Sequence, residues 1–403
     1  MKGKEYQLVL LLIFIGAKGN LIALADITLV LALLWTTYLI RASKTKIPVG
    51  FYYFTALYIV LTLCYFFKFG WVNIWSSSRL FIKITYGVFT LLLVRDKIFY
   101  YYERIIVLFS AISLPLFLLQ IVAFPYLKWF VGLIENNIPA LNYRENWYVN
   151  NFIFTLNENA LLRNSGMAWE PKGFANMVLI AIVFNLLRTK FVLDKRFYIL
   201  VITLLTTFST TGIFILVFLV PFIFVNNYRA SYRPLLVIVF AFVGLGVYSS
   251  GVVSDKITRE IDEREKHLVY LDAETNQQSI TLGRFGSFVL AFRDLPKNPL
   301  IGIGMQDSER TDGTNTHLVY VSGLADFLSR FGIIGILFLV ITYYWSSKAM
   351  FEKFKVEGAV IMTFIFMSIF FASAIIISPL FFCFQFYYLI ENKNLPSQQR
   401  RQV

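Results

Sequence analysis

The chain is poor in most of what builds a soluble site. Charged residues fill only 15% of its 403 positions while 58% are hydrophobic, and mean hydropathy is +0.65. An ordinary soluble domain carries about 25% charge. The two cysteines and two histidines are too few for a Cys/His metal centre, so no metal and no cofactor is expected. Cys64 and Cys383 both lie inside apolar runs and read as small buried hydrophobes. No internal repeat or low-complexity tract interrupts the chain. The apolar runs are too long and too continuous for a β-barrel, whose strands alternate over about 10 residues. The net charge of +13 does not require a nucleic-acid partner, because basic loops on one side of a membrane account for it.

What is present is a series of apolar stretches, many of them long enough to cross a hydrocarbon core of about 30 Å. The chain therefore reads as an all-α polytopic membrane protein, a single integral membrane domain over 1–403. Helices are predicted at 6–17, 20–40, 47–67, 79–94, 105–125, 171–188, 198–208, 212–226, 234–250, 321–345, 356–376 and 378–390. The start, Met1 to Lys4 before an apolar run, has the look of a signal peptide. A second apolar run follows at once, so it reads as a short first helix. The stretches at 198–208 and 212–226 are short for full spans and read as half-helices meeting at Ser209 to Gly212.

Basic clusters at Arg41–Lys46, Arg95–Arg104, Arg188–Arg196, Arg229–Arg233 and Lys348–Lys355 assign one side, with both termini, to the cytoplasm. Two long polar segments, 126–170 and 251–320, then face outward. In the first, Lys128 to Ile134 suits a helix lying in the membrane interface. In the second, Ile257 to Leu268 reads as a solvated helix, with His267 on its wet face. The tail, 392–403, carries no apolar pattern. Asp26 and Lys83 fall inside apolar runs, where ionised groups are costly and usually face a bundle interior. Asp326 and Arg330 are spaced for a local ion pair.

The densest chemistry lies where the first long segment meets a helix: Arg163, Gly166, Glu170, Pro171 and Lys172. Pro171 suits the first helical position. Glu170 then meets the positive end of the helix dipole, whereas Lys172 gains nothing there. A bound anion would reconcile the two; an ion pair between Arg163 and Glu170 that pins the loop is the plainer alternative. Gly166 permits the tight turn. The second segment offers Gly283, Arg284, Gly286 and Ser287, then Arg293, then Pro299, Gly302 and Gly304, whose backbone N–H groups could form an anion nest. His317 precedes the next helix.

In this order the motifs resemble the bacterial O-antigen polymerase and O-antigen ligase superfamily. Arg163-x-x-Gly166-x-x-x-Glu170-Pro171 opens a membrane helix. A Ser209-x-x-Gly212 break follows. An outer loop then carries Arg284, Pro299-Leu-x-Gly302-x-Gly304 and His317, before the Gly332 to Gly335 helix. The resemblance spans roughly 150–345. It implies a metal-independent glycosyltransferase of GT-C type with about 12 spans, multi-pass in the bacterial inner membrane. Its donor, and in a polymerase its acceptor, would be a polyprenyl diphosphate-linked oligosaccharide held among membrane lipid. A chain-length regulator is the protein partner such an enzyme could recruit. By motif position Arg163 and Arg284 would hold the diphosphate, with Lys172, Gly166 and Arg293 beside them. His317 would serve as base, or Glu170 in its place. The serine break lacks a following arginine that one common pattern carries. Polymerase, ligase with lipid A core as acceptor, and lipid-linked glycan flippase remain alternatives. A flippase would gather its polar residues at the bilayer midplane, which this chain does not do.

The residues themselves agree with that chemistry. Arginine grips phosphate oxygens through a planar fork and does not deprotonate. Stabilising a diphosphate leaving group is electrostatic work, and neutral histidine can accept a hydroxyl proton.

Overall fold

The computed structural model describes residues 2–17, 25–135, 149–150, 153–156, 161–227, 269–271, 278–305 and 317–391. The predicted helices at 234–250 and 257–268 and the tail lie outside these residues. In chain order the elements are α1 (Lys2–Ala17), α2 (Asp26–Ala42), α3 (Val49–Phe69), α4 (Ile74–Val94), α5 (Lys97–Val122), α6 (Phe124–Glu135), β1 (Val149–Asn150), β2 (Thr155–Leu156), α7 (Pro171–Thr189), α8 (Lys195–Thr206), α9 (Thr210–Asn227), β3 (Val269–Leu271), β4 (Gln278–Leu282), α10 (Arg284–Asp294), β5 (His317–Tyr320), α11 (Gly323–Phe354), α12 (Ala359–Ala372), α13 (Pro379–Gln385) and α14 (Tyr388–Glu391).

The architecture is mostly helical, as a polytopic helical membrane protein requires. Among the described residues α3, α4, α5, α7 and α11 are long and apolar enough to cross a membrane. The expectation of a purely α chain needs one amendment, since both long loops contain short strands. β1 pairs antiparallel with β2; β3 pairs antiparallel with β4, and β4 parallel with β5.

Several helix boundaries differ from the pattern, each for a local reason. α4 begins at Ile74 rather than 79, because Asn73 caps it: its Oδ1 accepts from Ser76 N at 3.0 Å. α5 begins at Lys97 rather than 105. The charges at its start are compensated, with Lys97 Nζ on both Glu5 oxygens at 2.8 and 2.9 Å. Asp26 opens α2 rather than sitting mid-span, so its carboxylate meets a favourable dipole end. Cys383 is buried, but Cys64 is exposed, against expectation; it lies on the outer face of α3, where a membrane protein presents apolar groups to lipid.

The chain forms two compact units. The first comprises 1–39, 89–247 and 354–356, the second 40–88, 248–353 and 357–403. In the first, α5 and α7 run antiparallel. The start of α5 meets the end of α7 through Arg188 and Glu103, and the end of α5 meets the loop before α7 through Gln120 Nε2 and the Leu161 carbonyl at 2.6 Å. Residues 173–187 of α7 are buried throughout, so α7 is the unit's central helix. α6 seats Leu127 against Phe117, Phe154 and Leu156 and leaves Tyr126 and Trp129 exposed. That arrangement suits an interfacial helix.

In the second unit the core is aromatic. Tyr343 packs on Phe366 and Phe370, and its hydroxyl donates to the Phe381 carbonyl at 2.8 Å. α10 lies on α12 by stacking Phe288 on Phe371 at 5.3 Å. Gly87 approaches the backbone of α13 so closely that a Cβ would strike the Pro379 carbonyl.

Candidate functional site

In the first unit, the segment from Arg163 to Pro171 is built into the protein rather than draped over it. Asn164 to Ala168 are buried, which is unusual for a loop because its backbone polar groups then need partners. Asn164 supplies several. Its Nδ2 donates to Ser113 Oγ at 3.1 Å and Thr206 Oγ1 at 3.0 Å. Its Oδ1 accepts from Gly166 N at 2.9 Å. Thr155 holds the far side, with its N–H on the Gly166 carbonyl at 2.6 Å and its hydroxyl on the Ala168 carbonyl at 2.7 Å. Gly166 has φ +48, and a Cβ there would collide with the Phe174 ring. Only glycine satisfies both conditions.

The same loop closes the break between α8 and α9. A helix end leaves its last carbonyls without intrahelical donors. Asn164 N donates to the Thr206 carbonyl at 2.9 Å, and Arg163 Nε donates to the Thr207 carbonyl at 3.1 Å. A guanidinium is favoured at the negative end of a helix. Across the break, Ser209 Oγ accepts from Gly212 N at 3.3 Å and caps α9. Gly212 lets α9 approach Ala175 on α7.

At the mouth of α7, Glu170 is the N-cap residue, in extended conformation and without a side-chain cap bond. It pairs with Lys172, Nζ to Oε1 at 3.6 Å. The lysine that seemed to call for an external anion thus has a neighbouring carboxylate. Both side chains are mostly covered, Lys172 at 14% and Glu170 at 29% exposure.

The opposite end of α7 holds a charge cluster that the sequence reading missed. Glu103 is fully buried. It takes a bidentate pair from Arg188, at 2.6 and 2.8 Å, with Arg196 at 3.2 Å and Asn185 at 3.0 Å. Arg188 also reaches Asp194 at 3.1 Å. Burial pushes the Asp194 carboxyl up, but the Phe197 N–H, Asn185 and Arg188 together leave it below the ordinary value of 3.8. Two carboxylates and two guanidinium groups balance, so this cluster locks α5, α7 and α8 together. The basic segment 188–196 reads in sequence as a topological signal; Glu103 lies far from it in the chain, and nothing local announces the pairing.

In the second unit, Arg284 is the first residue of α10 and is half-buried. Ser287 fixes that turn, its hydroxyl donating to the Gly283 carbonyl at 2.9 Å and accepting from Val321 N at 3.2 Å. Arg293 closes the helix with a two-point pair on Asp294, at 3.1 and 3.2 Å. That side chain is 48% exposed. His317 opens β5 in register with Ser279. Arg284 lies beyond Leu282, so roughly 10 Å of strand separates the two rows. The parallel pairing therefore sets the histidine and Arg284 toward opposite ends of β4 and β5.

The segment Pro299 to Gly304 is not an anion nest. Gly302 N donates to the Asn298 carbonyl at 3.1 Å, Ile303 N to the Ser329 carbonyl at 3.0 Å and Gly304 N to the Arg330 carbonyl at 2.7 Å. In return the Pro299 and Leu300 carbonyls accept from Ile333 N at 2.9 Å and Ile334 N at 3.1 Å. The segment plugs a break in α11, where Gly332 adopts φ 62, ψ −162. Asp326 and Arg330 form the ion pair their spacing predicts, with Arg330 Nε 3.1 Å from both oxygens. Tyr65 adds its hydroxyl to the Arg330 carbonyl at 3.1 Å. Among the described residues no group of His, Cys, Asp and Glu could hold a metal ion.

No protein-family model, curated protein or solved structure matches this chain.

Proposed function

We propose that the chain is an integral-membrane glycosyltransferase that joins polyprenyl diphosphate-linked oligosaccharide repeat units on the periplasmic face of the inner membrane. The supporting observation is the loop from Arg163 to Glu170, buried from Asn164 to Ala168 and held by Asn164 and Thr155, set at the N-terminus of the central helix of its unit. A buried loop must pair its backbone polar groups, which makes it costly to build, and loops carry binding and catalytic residues disproportionately. The order of the motifs supports the same reading.

In this reading the bond between the donor's anomeric carbon and its phosphate oxygen breaks as an acceptor hydroxyl attacks that carbon. The diphosphate leaves with the electron pair. Arg163 meets its charge. The bond from its Nε to the Thr207 carbonyl orients the planar fork. Arg284 is assigned the second diphosphate contact by motif order alone. A cation in the first turn of α10 opposes the helix dipole, and a bound anion would relieve that opposition. Lys172 and Gly166 support the Arg163 loop, Arg293 is a peripheral cation, and the acceptor's proton passes to His317 or Glu170.

The test is turnover by the purified protein in detergent or nanodiscs, with lipid-linked oligosaccharide alone and with added lipid A core. A ladder of products from the donor alone supports the polymerase. A single addition to core assigns the ligase instead. Absence of any glycosidic product, alongside movement of the lipid-linked glycan across a vesicle bilayer, overturns the enzyme in favour of a flippase.

A further inference from the structure

Of the membrane-length helices among the described residues, α3 is the least covered by protein. Between Tyr52 and Phe67 its exposed residues fall in pairs, at 52–53, 56–57, 59–60, 63–64 and 66–67. At 100° per residue these positions fill a single arc of about 180°. The other arc faces the rest of the second unit. There Phe54 packs on Phe386 at 5.0 Å, the Tyr58 hydroxyl donates to the Ser77 carbonyl at 2.8 Å, and the Tyr65 hydroxyl donates to the Arg330 carbonyl at 3.1 Å.

The exposed arc is graded along its length. Tyr52 and Tyr53 stand near its start, and Leu57, Ile59, Val60 and Leu63 occupy the middle. Phe66 and Phe67 close it, and Trp71 and Trp75 follow in the turn to α4, also exposed. Lys68 is the one charged residue of α3. It is exposed, with Nζ 5.3 Å from the centre of the Phe69 ring. The helix has 21 residues, about 31 Å at 1.5 Å per residue, and a hydrocarbon core is about 30 Å thick. Tyrosine and tryptophan concentrate where hydrocarbon meets headgroups, and a lysine there stretches its ammonium toward the phosphates. A second membrane helix would make different demands. Contacts between such helices favour small residues that let the backbones approach, and a helix–helix seam is narrower than half a turn. This arc is broad and, Ala56 and Cys64 aside, bulky.

We propose that the outward arc of α3 is a phospholipid-docking surface. Acyl chains cover the stretch from Leu57 to Leu63. Lys68, Trp71 and Trp75 lie in the headgroup layer, where the ammonium meets lipid phosphate. α3 is then the lipid-facing wall of its unit and not a subunit interface. The assignment also sets a depth. Tyr65 precedes Trp71 by six residues, about 9 Å along the helix, and it holds the Arg330 carbonyl. The break at Gly332 therefore lies inside the hydrocarbon layer, close to one of its surfaces. The inference holds whatever reaction the protein performs.

The chain carries its own probe. Cys64 is exposed on the arc and Cys383 is buried, so a nitroxide attached to the purified full-length protein marks α3. In nanodiscs of phosphatidylcholine and phosphatidylglycerol, collisions with oxygen and with a water-soluble nickel chelate report the depth of the label. Val60→Cys and Lys68→Cys, each in a Cys64→Ser background, extend the series in steps of about 6 Å along one face. The oxygen-to-nickel collision ratio should rise several-fold from 68 through 64 to 60. Frequent nickel collisions at 64 and 60 put the arc in water and overturn the proposal. Rare collisions with both reagents mean that protein covers the arc, and overturn it equally. Oxidation of Cys64 in native membranes gives a separate reading. A monomer is expected, and an efficiently formed disulfide-linked dimer overturns lipid in favour of a second copy of the chain.

Discussion

The break at Thr207 to Ser209 and the break at Gly332 set the same physical problem in two different units: carbonyls freed from a helix inside an apolar protein. In the first unit one side chain and one backbone N–H answer it, as Arg163 Nε and Asn164 N reach the Thr207 and Thr206 carbonyls. In the second unit a whole strand of backbone answers it, as Pro299 to Gly304 exchange hydrogen bonds with Ser329 to Ile334. The contrast has a consequence for function. A break closed by backbone is insensitive to most side chains but intolerant of any Cβ at its glycines. A break closed by side chains is open to tuning, and the residue that closes it can carry a second task. The charge of Arg163 both caps α8 and, on the proposed reading, meets a diphosphate.

The strongest way to test the contrast is Gly332→Val. A Cβ there would collide with the Leu300 carbonyl, and φ 62, ψ −162 suits glycine alone. The expected loss is about 3 kcal/mol or more, seen as failure to accumulate in the membrane or a large drop in Tm. Near-normal thermal unfolding would mean the backbone plug does not depend on glycine. Next comes Asn164→Ala, which removes the links to Ser113, Thr206 and Gly166. It should cost about 2–3 kcal/mol by the same measurement, and little change would show that the loop is held elsewhere. Arg163→Lys separates the two tasks. Lysine retains a cation at the helix end, so stability should fall by no more than about 1 kcal/mol. Turnover should fall by about tenfold or more, because the planar fork is lost. Equal, proportionate losses of both would reduce Arg163 to a structural cap.

The smallest effect concerns acid. Asp194 has a lowered folded pKa, so its contribution is complete above the unfolded value near 3.8 and disappears as pH falls through the folded value. With the side chain 32% exposed, screening limits this to well under 1 kcal/mol. Asp194→Asn should therefore flatten only slightly the loss of stability below about pH 4. A large change near neutrality would contradict the assignment.

Much of the helical frame was legible in the chain because its signals are local. Glu170 and Pro171 announce the start of α7, Ser209 and Gly212 the start of α9, and the spacing of Asp326 and Arg330 their ion pair. What escaped is long-range. Glu103 sits in a stretch that reads as basic loop, and only folding brings it to Arg188 and Arg196. Pro299 to Gly304 carry the composition of an anion nest, yet their N–H groups are consumed by a helix break whose position depends on Gly332. Sequence names the groups that can bond; it does not say which of them are already bonded to each other.

The central claim is that Arg163 is a working residue of a glycosyl transfer and not only a helix cap. It is tested most directly by comparing the purified wild type, Arg163→Ala and Arg284→Ala for product formation from a polyprenyl diphosphate oligosaccharide, with folding of each checked by thermal unfolding. The account predicts a product ladder from the wild type and none from either variant while both remain folded. Folded Arg163→Ala protein that makes the full ladder would contradict it.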